Sequence, residues 1–188
     1  MNCYQEIQLI SDTKEIPISF LWSKVYMRLH LALAQEKEKR GKGIFAVSFP
    51  QYQAHTLGNI LRIFAETRED LETLNMKHVL QHLQEYVHIT GVRDIQKQHG
   101  WAIYKRYQPD GTVQRKARRY SRRHRVSYEE ACHILKSKPR KTVPYIQLRS
   151  ASSQQTFSLF IQRIETNEKQ GQSFSAYGLS QNATVPEF

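Results

Sequence analysis

The sequence contains an arginine-rich segment, residues 115–125, whose side chains could bind phosphate. Seven of its eleven residues are basic, six of them arginine, and none is acidic. Guanidinium groups pair bidentately with phosphate and with guanine, so this composition favours a polyanion ligand over a solvated helix face. On a helix, five of the arginines lie within an arc of about 140°: Arg115, Arg118, Arg119, Arg122 and Arg123. Without a partner these cations would repel one another, and we therefore predict polyanion binding.

Arg106 and Gln108 lie at alternate positions of a predicted strand and could contact base edges. An arginine can pair with guanine and a glutamine with adenine, although such a pair is also common on ordinary polar surfaces. An α-helix fits the major groove of B-form DNA, and it enters RNA only where the A-form groove opens beside a hairpin loop or helix end. The residues alone therefore leave both nucleic acids open.

Few residues are suited to catalysis. The sequence contains no Walker-type loop, no His-Glu-x-x-His motif and no Gly-x-Ser-x-Gly motif. Residues 93–149 contain four carboxylates, whereas a two-metal nuclease needs several that converge, so we predict no metal and no cofactor. His78 and His82 have the spacing of a metal pair, but no third ligand is evident. His30 lies at the edge of an apolar helical stripe, where a histidine is usually structural.

The net charge of +11 is concentrated in residues 93–149, which hold 16 basic and 4 acidic residues. The rest of the chain is close to neutral. With 39% hydrophobic and 11% aromatic residues, the composition excludes a disordered or fibrous protein. No apolar stretch approaches the about 20 residues that span a bilayer. Two cysteines, Cys3 and Cys132, are too few for a disulfide framework, and we expect a cytoplasmic protein that binds no membrane.

The first half of the chain has the pattern of a βαββαβ domain, which is typical of the ferredoxin-like fold. Alternating and helical spacings predict a strand over 3–9, a helix from Pro17 to Gly41, strands over 44–49 and 60–65, a helix that begins after Thr67 and presents Leu71, Leu74, Val79 and Leu83, and a strand over 86–89. We therefore predict an α+β protein whose ferredoxin-like domain covers residues 1–95.

Residues 96–188 predict a smaller second domain with short strands and an arginine-rich helix over 113–125. The elements are a strand over 101–108, that helix, a second helix capped by Ser127 and Glu130, strands over 143–149 and 157–163, and a short element over 174–179.

Short motifs follow one another in a fixed order along the whole chain. They include Leu29-His30, Val47-Ser48-Phe49-Pro50, Leu57-Gly58, Arg118-Arg119-Tyr120-Ser121-Arg122-Arg123-His124, Leu148-Arg149-Ser150, Phe157-Ser158-Leu159-Phe160-Ile161, Tyr177-Gly178-Leu179-Ser180 and Val185-Pro186-Glu187-Phe188. In this order and spacing they resemble the CRISPR-associated endoribonuclease of subtype I-F, which cuts the repeat hairpins of precursor CRISPR RNA. The resemblance implies a ferredoxin-like domain followed by a smaller domain that binds the RNA hairpin. The chain departs from the family over 109–113 and 164–173, so contacts there are not transferred.

The resemblance also assigns roles to individual residues. His30 resembles the catalytic histidine of the family, Ser150 its partner serine, and Tyr177 the tyrosine that positions the histidine. The residues that resemble RNA-binding positions are Arg118, Arg119, Arg122 and Arg123 in the major groove of the hairpin, with Arg115 on the same helix face, Arg106 and Gln108 at base edges, Phe157 under the last base pair, and Ser152 near the cut.

The implied reaction needs no metal. The 2′-hydroxyl of the RNA would attack the adjacent phosphorus at the 3′ base of the stem, with His30 taking its proton and Ser150 holding the 2′-oxygen in line. Tyr177 would orient the imidazole, and the products would be a 2′,3′-cyclic phosphate and a 5′-hydroxyl. The family further implies that the enzyme stays on the mature guide RNA and joins the surveillance complex as a subunit.

Two other functions fit the same residues. One is a non-catalytic subunit of a CRISPR effector complex that binds the RNA hairpin, although the retained His30, Ser150 and Tyr177 favour an enzyme. The other is a DNA-binding regulator that places the helix over 113–125 in a B-form groove.

Overall fold

The computed structural model describes residues 1–11, 16–108, 113–136, 142–150, 153–171 and 173–188, and it shows a mixed α+β fold with antiparallel sheets. The chain forms two compact units, one made of Met1–Tyr107 with Val143–Phe188 and the other of Gln108–Thr142. The division between residues 95 and 96 that the sequence predicts stays a prediction. Among the described residues, every helix is too short or too polar to cross a membrane.

The first sheet is built from the N-terminal part of the larger unit. Its elements and the helices beside it are β1 (Cys3–Leu9), α1 (Ile18–Arg40), β2 (Ala46–Ser48), β3 (Ile60–Ala65), α2 (Arg68–Leu74), α3 (Met76–Val79), β4 (Val87–Ile89) and β5 (Arg93–Asp94). The strand order is β2-β3-β1-β4, with β5 also paired to β1, and all pairs are antiparallel. The alternation predicted for residues 3–9 is confirmed, since Cys3, Gln5, Ile7 and Leu9 are buried.

Helix α1 follows the predicted apolar stripe. Leu21, Val25, Leu29 and Leu33 recur every four residues and are all buried, so one face of the helix is covered along its length. The helix ends at Gly41, whose φ of 72° is the left-handed conformation that glycine adopts without a steric penalty.

The single helix predicted after Thr67 is wrong. Thr67 does cap α2 by accepting a hydrogen bond from the Asp70 amide, as expected. Asn75 then takes a left-handed conformation, with φ of 45°, and its side chain accepts from the His78 amide to open the separate short helix α3. A 3-10 turn follows over Gln81–Leu83. An asparagine tolerates this conformation and caps helices well, so Asn75 can end one helix and begin the next. The apolar spacing that predicted one continuous helix does not reveal this break.

The second sheet contains β6 (Gly100–Tyr107), β7 (Tyr145–Arg149), β8 (Thr156–Thr166) and β9 (Val185–Glu187) in the antiparallel order β7-β8-β6-β9. The first three confirm predicted strands, and β8 extends three residues beyond the predicted end. The predicted element over 174–179 is instead a turn that contains Gly178 at φ of 70°. The sequence analysis missed β9, because it is three residues long and contains Pro186, which interrupts a strand pattern.

One apolar core joins both sheets through α1. This helix contacts β1 of the first sheet and β7 of the second. At its centre Phe49 lies 5.5 Å from the Trp22 ring, 6.1 Å from Tyr26 and 5.6 Å from Tyr104, measured between ring centroids. Close-packed aromatic contacts of this kind restrict movement of the helix. The backbone position of a polar side chain on α1 is therefore well defined.

The smaller unit is a pair of helices, α4 (Val113–His124) and α5 (Tyr128–Lys136), and both were predicted. Ala117 on α4 and Ala131 on α5 are fully buried, which lets the two helices pack closely. The Ser127 hydroxyl accepts a hydrogen bond from the Glu130 amide over 3.0 Å, confirming the predicted cap of α5.

Candidate functional site

His30 lies on α1 and is held by two contacts with the turn that precedes β9. Its Nδ1 atom is 2.9 Å from the carbonyl oxygen of Ala176. Its ring stacks on that of Tyr177, with centroids 4.0 Å apart and planes 7° apart. A carbonyl oxygen can only accept, so Nδ1 carries the proton in this contact, and the neutral ring presents the lone pair of Nε2. The half-buried imidazole is therefore arranged to act as a base through Nε2.

The turn that carries Ala176 and Tyr177 is fixed by its own backbone. The Gly178 amide donates to Ser175 over 2.9 Å, and the Val47 amide of β2 donates to the Gly178 carbonyl over 3.0 Å. A Cβ atom added to Gly178 would lie 2.7 Å from a methyl group of Val47, so only glycine fits here. The turn is thus packed directly against the strand.

Tyr26 ties this turn to α1. Its hydroxyl donates to the Tyr177 carbonyl over 2.9 Å, and the residue is fully buried. Burial raises the pKa of the Tyr26 hydroxyl, which therefore remains a proton donor. Since Tyr26 precedes His30 by one helical turn, a single helix face supplies both the imidazole and the anchor of its stacking partner.

Ser150 follows β7, the strand that packs against α1. Strand β7 buries Ile146 and Leu148, and Ser150 continues this alternation one residue beyond the strand. Its amide donates to Gln155 over 2.8 Å, and its hydroxyl accepts from the Ser153 amide over 3.2 Å. The serine is therefore held in a tight connection between β7 and β8.

Arg106 and Phe157 are brought together by the second sheet. The Arg106 guanidinium lies 5.8 Å from the centre of the Phe157 ring, within the range of a cation–π contact. Arg106 and Gln108 are exposed at the end of β6, whereas Phe157 is half-buried at the start of β8. An exposed guanidinium beside an aromatic ring offers both a donor and a stacking surface.

The arginines of α4 line an open concavity on one side of that helix, formed by Arg118, Arg119, Arg122 and Arg123. All four are exposed, while Ala117 on the opposite side is buried. The predicted helix face is thus present within the smaller unit. His124 is exposed and stacks on Tyr120 at 4.1 Å between centroids.

Two predicted site residues cannot be placed. Ser152 lies outside the described residues, and the side chain of Arg115 is likewise not described, although its backbone belongs to α4. Two contributors were missed by sequence reasoning, namely Tyr26 and the carbonyl of Ala176. The position of Tyr26 one turn before His30 was an available signal, whereas a backbone carbonyl leaves none in side-chain types.

Within the part of the chain that the structure describes, three or more histidine, cysteine or acidic side chains are nowhere grouped closely enough to hold a metal ion. His78 and His82, the pair with metal-ligand spacing, therefore gain no third ligand among the described residues.

Comparison with known proteins gives consistent matches over the full chain. Residues 4–188 match the family model described as CRISPR-associated protein (Cas_Csy4). A protein of Escherichia coli strain UTI89 named CRISPR-associated endonuclease Cas6/Csy4 is 30% identical over 191 residues, covering 100% of both chains. A protein of the same name from Pseudomonas aeruginosa strain UCBPP-PA14 is 31% identical over 194 residues, again covering 100% of both. A crystal structure of a mutant chlorite dismutase from Candidatus Nitrospira defluvii aligns with 88% of this chain and 77% of its own at 12% identity, with a TM-score of 0.30 that is too low to indicate a shared fold.

Proposed function

We propose a function for this chain from the premise that it belongs to the Csy4 family of CRISPR-associated proteins. The two relatives are named endonucleases, and we infer that this protein is an endoribonuclease that processes CRISPR repeat RNA. It binds the stem-loop of the repeat and cuts at the 3′ base of the stem without a metal. The 2′-oxygen bonds to the phosphorus as the bond between phosphorus and the 5′-oxygen breaks, and the leaving 5′-oxygen is protonated, so the products are a 2′,3′-cyclic phosphate and a 5′-hydroxyl.

The observation that carries this proposal is the geometry of His30. Its Nδ1 atom is committed to the Ala176 carbonyl and its ring to the Tyr177 stack, so the Nε2 lone pair is the reactive position. A neutral imidazole with a free Nε2 lone pair is suited to remove a proton from a 2′-hydroxyl. A histidine that served only in packing would not need both constraints on its ring orientation.

The attack by the 2′-oxygen needs a base, and it also needs groups that hold the 2′-oxygen and the imidazole in position. We assign Ser150 to hold the 2′-oxygen in line with the scissile bond and Tyr177 to orient the imidazole. Arg106, Gln108 and Phe157 would bind the foot of the stem, since arginine and glutamine pair with base edges and an aromatic ring stacks under a base pair. Ser152 would lie near the cut.

The arginines of α4, Arg115, Arg118, Arg119, Arg122 and Arg123, would enter the major groove of the stem where it opens near the loop. We further propose that the enzyme remains on the mature guide RNA as a subunit of the surveillance complex.

A ferredoxin-like arrangement of residues 1–95 is supported by the βαββαβ order and by the strand order β2-β3-β1-β4. We also propose a cytoplasmic location for the protein.

The test is incubation with the stem-loop of the host's CRISPR repeat in EDTA, followed by analysis of the product ends. We expect cleavage to persist and the upstream product to carry the cyclic phosphate. A substrate with 2′-deoxyribose before the cut should bind normally and stay intact. His30→Ala should abolish cleavage and keep affinity, whereas His88→Ala, at an exposed histidine of β4, should cleave normally. Loss of cleavage in EDTA, or cleavage of the deoxy substrate, would contradict the mechanism.

A further inference from the structure

The connection between β7 and β8 places the Ser150 hydroxyl through a set of short backbone bonds. The Ser150 amide donates to the Gln155 carbonyl over 2.8 Å, and the Gln154 amide donates to the Ser150 carbonyl over 3.0 Å. The Ser150 hydroxyl itself accepts from the Ser153 amide over 3.2 Å. The position of this hydroxyl therefore depends on the backbone conformation of residues 153–155.

Gln154 has a backbone conformation that a glutamine adopts only at a steric cost. Its φ of 58° lies in the left-handed region, where the Cβ atom crowds the following carbonyl oxygen. Asparagine and aspartate are enriched in this region because their short side chains bond locally, whereas glutamine is not. A residue of this kind keeps such a conformation when neighbouring groups hold it, and these residues are concentrated at active sites.

Arg149 holds the carbonyl of Gln154. Its Nε atom donates to that carbonyl over 3.2 Å. Together with the bond from the Gln154 amide to the Ser150 carbonyl, this contact fixes the peptide groups on both sides of Gln154. Arg149 is exposed, whereas Ile146 and Leu148 on the other face of β7 are buried. Ser150 continues the buried alternation, so Arg149 acts on the serine through the backbone of Gln154.

We propose that Arg149 is a positioning residue for cleavage, because its bond to the Gln154 carbonyl keeps the Ser150 hydroxyl where it meets the 2′-oxygen. The inference rests on the proposed function, since it takes Ser150 to hold the 2′-oxygen in line with the scissile bond. Displacement of a reacting group by a fraction of its bond length is costly for an in-line attack. Loss of the Arg149 contact therefore slows the chemical step and leaves binding of the stem-loop unchanged.

The first experiment measures the single-turnover cleavage rate of the repeat stem-loop with enzyme in excess. The dissociation constant is measured on a stem-loop with a 2′-deoxy nucleotide before the cut. We expect Arg149→Ala to lower the rate about tenfold and to leave the dissociation constant and the thermal midpoint unchanged. Arg93→Ala, at an exposed arginine of β5, removes the same charge and should change neither rate nor affinity. An unchanged rate for Arg149→Ala, or a weaker affinity, would overturn the proposal.

Substitution of Gln154 separates positioning from a direct effect of the guanidinium on the RNA. Glycine takes the left-handed conformation without a steric penalty, so adding Gln154→Gly to Arg149→Ala should restore most of the lost rate. Gln154→Ala is the matched control, because it removes the same side chain but keeps the Cβ atom, and it should restore none. Equal rates for the two double variants would mean that Arg149 does not act through the conformation of Gln154.

A double variant with Ser150→Ala tests whether Arg149 acts through the serine. Once the hydroxyl is removed, the contact from Arg149 has nothing left to position. Arg149→Ala combined with Ser150→Ala should therefore cleave as slowly as Ser150→Ala alone. If the two rate losses multiplied, Arg149 would act independently of Ser150 and the proposal would be wrong.

Amide hydrogen exchange, followed by NMR, tests the same contact without RNA. Arg149→Ala should speed exchange of the Ser150 and Ser153 amides about tenfold, and adding Gln154→Gly should slow it again. Exchange that stayed at the rate of the unmodified protein would count against the proposal even if cleavage were slower. Failure of the proposed function appears separately, as an unmodified protein that binds the stem-loop and never cleaves it.

Discussion

At the scale of single residues, His30 is useful as a base only if its ring is held in one orientation. The Ala176 carbonyl selects the tautomer, and the Tyr177 ring limits rotation. Both belong to one turn, and the Tyr26 hydroxyl holds that turn by its bond to the Tyr177 carbonyl. The orientation of His30 therefore depends on Tyr26, a residue that is fully buried.

The role of Tyr26 in holding the turn can be tested with Tyr26→Phe, which removes only the hydroxyl. The Tyr177 carbonyl loses the Tyr26 donor and the turn gains freedom, so the imidazole is less often aligned with the 2′-hydroxyl. We expect the single-turnover cleavage rate to fall about tenfold, since small misplacements of a reacting group are costly. The dissociation constant for the stem-loop should not change.

Tyr52→Phe is the matched control, because the Tyr52 hydroxyl also donates to a backbone carbonyl, that of Ile161, over 3.0 Å. This bond does not involve the turn beside His30, so the cleavage rate should stay near that of the unmodified protein. If both variants lowered the rate equally, the effect would be one of general stability and the positioning role of Tyr26 would be wrong.

At the scale of elements, the strands and helices with regular spacing could be predicted from sequence. Residues 3–9 and the stripe from Leu21 to Leu33 show one periodicity each, and the structure buries the expected face. The break at Asn75 could not be predicted, because a left-handed asparagine interrupts no hydrophobic pattern. One partner of His30 was equally hidden, since it is the carbonyl of Ala176, an atom that every residue has, whereas the family resemblance had already assigned Tyr177 to orient the imidazole.

A second prediction concerns the tie between the end of α1 and the start of α2. Glu36 accepts from Lys39 over 2.9 Å and from Arg40 over 3.1 Å, and Arg40 also donates to Asp70 over 2.8 Å. The hydrogen bond from Lys39, followed by that from Arg40, lowers the pKa of Glu36 below its ordinary value. Because the folded pKa is depressed, this carboxylate stabilises the fold above the unfolded pKa, and the contribution disappears as the pH falls through the folded pKa.

Glu36→Gln should therefore lower the free energy of unfolding by about 1 kcal/mol at neutral pH. The difference from the unmodified protein should diminish as the pH falls below the ordinary pKa of glutamate and vanish in acid, once the native carboxyl is also protonated. Urea denaturation at neutral and at acid pH measures both. Glu38→Gln, at an exposed position of the same helix, should change little at either pH, and a Glu36→Gln effect that persisted in acid would rule out the linkage.

At the scale of the whole molecule, the net charge of +11 matters less than its location. Four exposed arginines of α4 share one concavity, whereas α1 and strands β1 to β4 belong to a part of the chain that is close to neutral. Binding to RNA releases one condensed counterion for each phosphate that a cation neutralises, so only residues at the interface contribute to the salt dependence of affinity. Total charge and interface charge can therefore be separated by mutation.

The test is to compare Arg119→Ala with Lys77→Ala, an exposed residue of α3, since each substitution removes one positive charge from the molecule. Arg119→Ala should weaken stem-loop binding and reduce the slope of log affinity against log salt by about one. Lys77→Ala should leave the slope unchanged, because Lys77 is not one of the residues that line the arginine concavity. Dissociation constants measured between about 50 and 200 mM salt give both slopes. Equal slopes for the two variants would mean that the protein attracts RNA by its overall field, and that α4 does not contact the phosphates through Arg119.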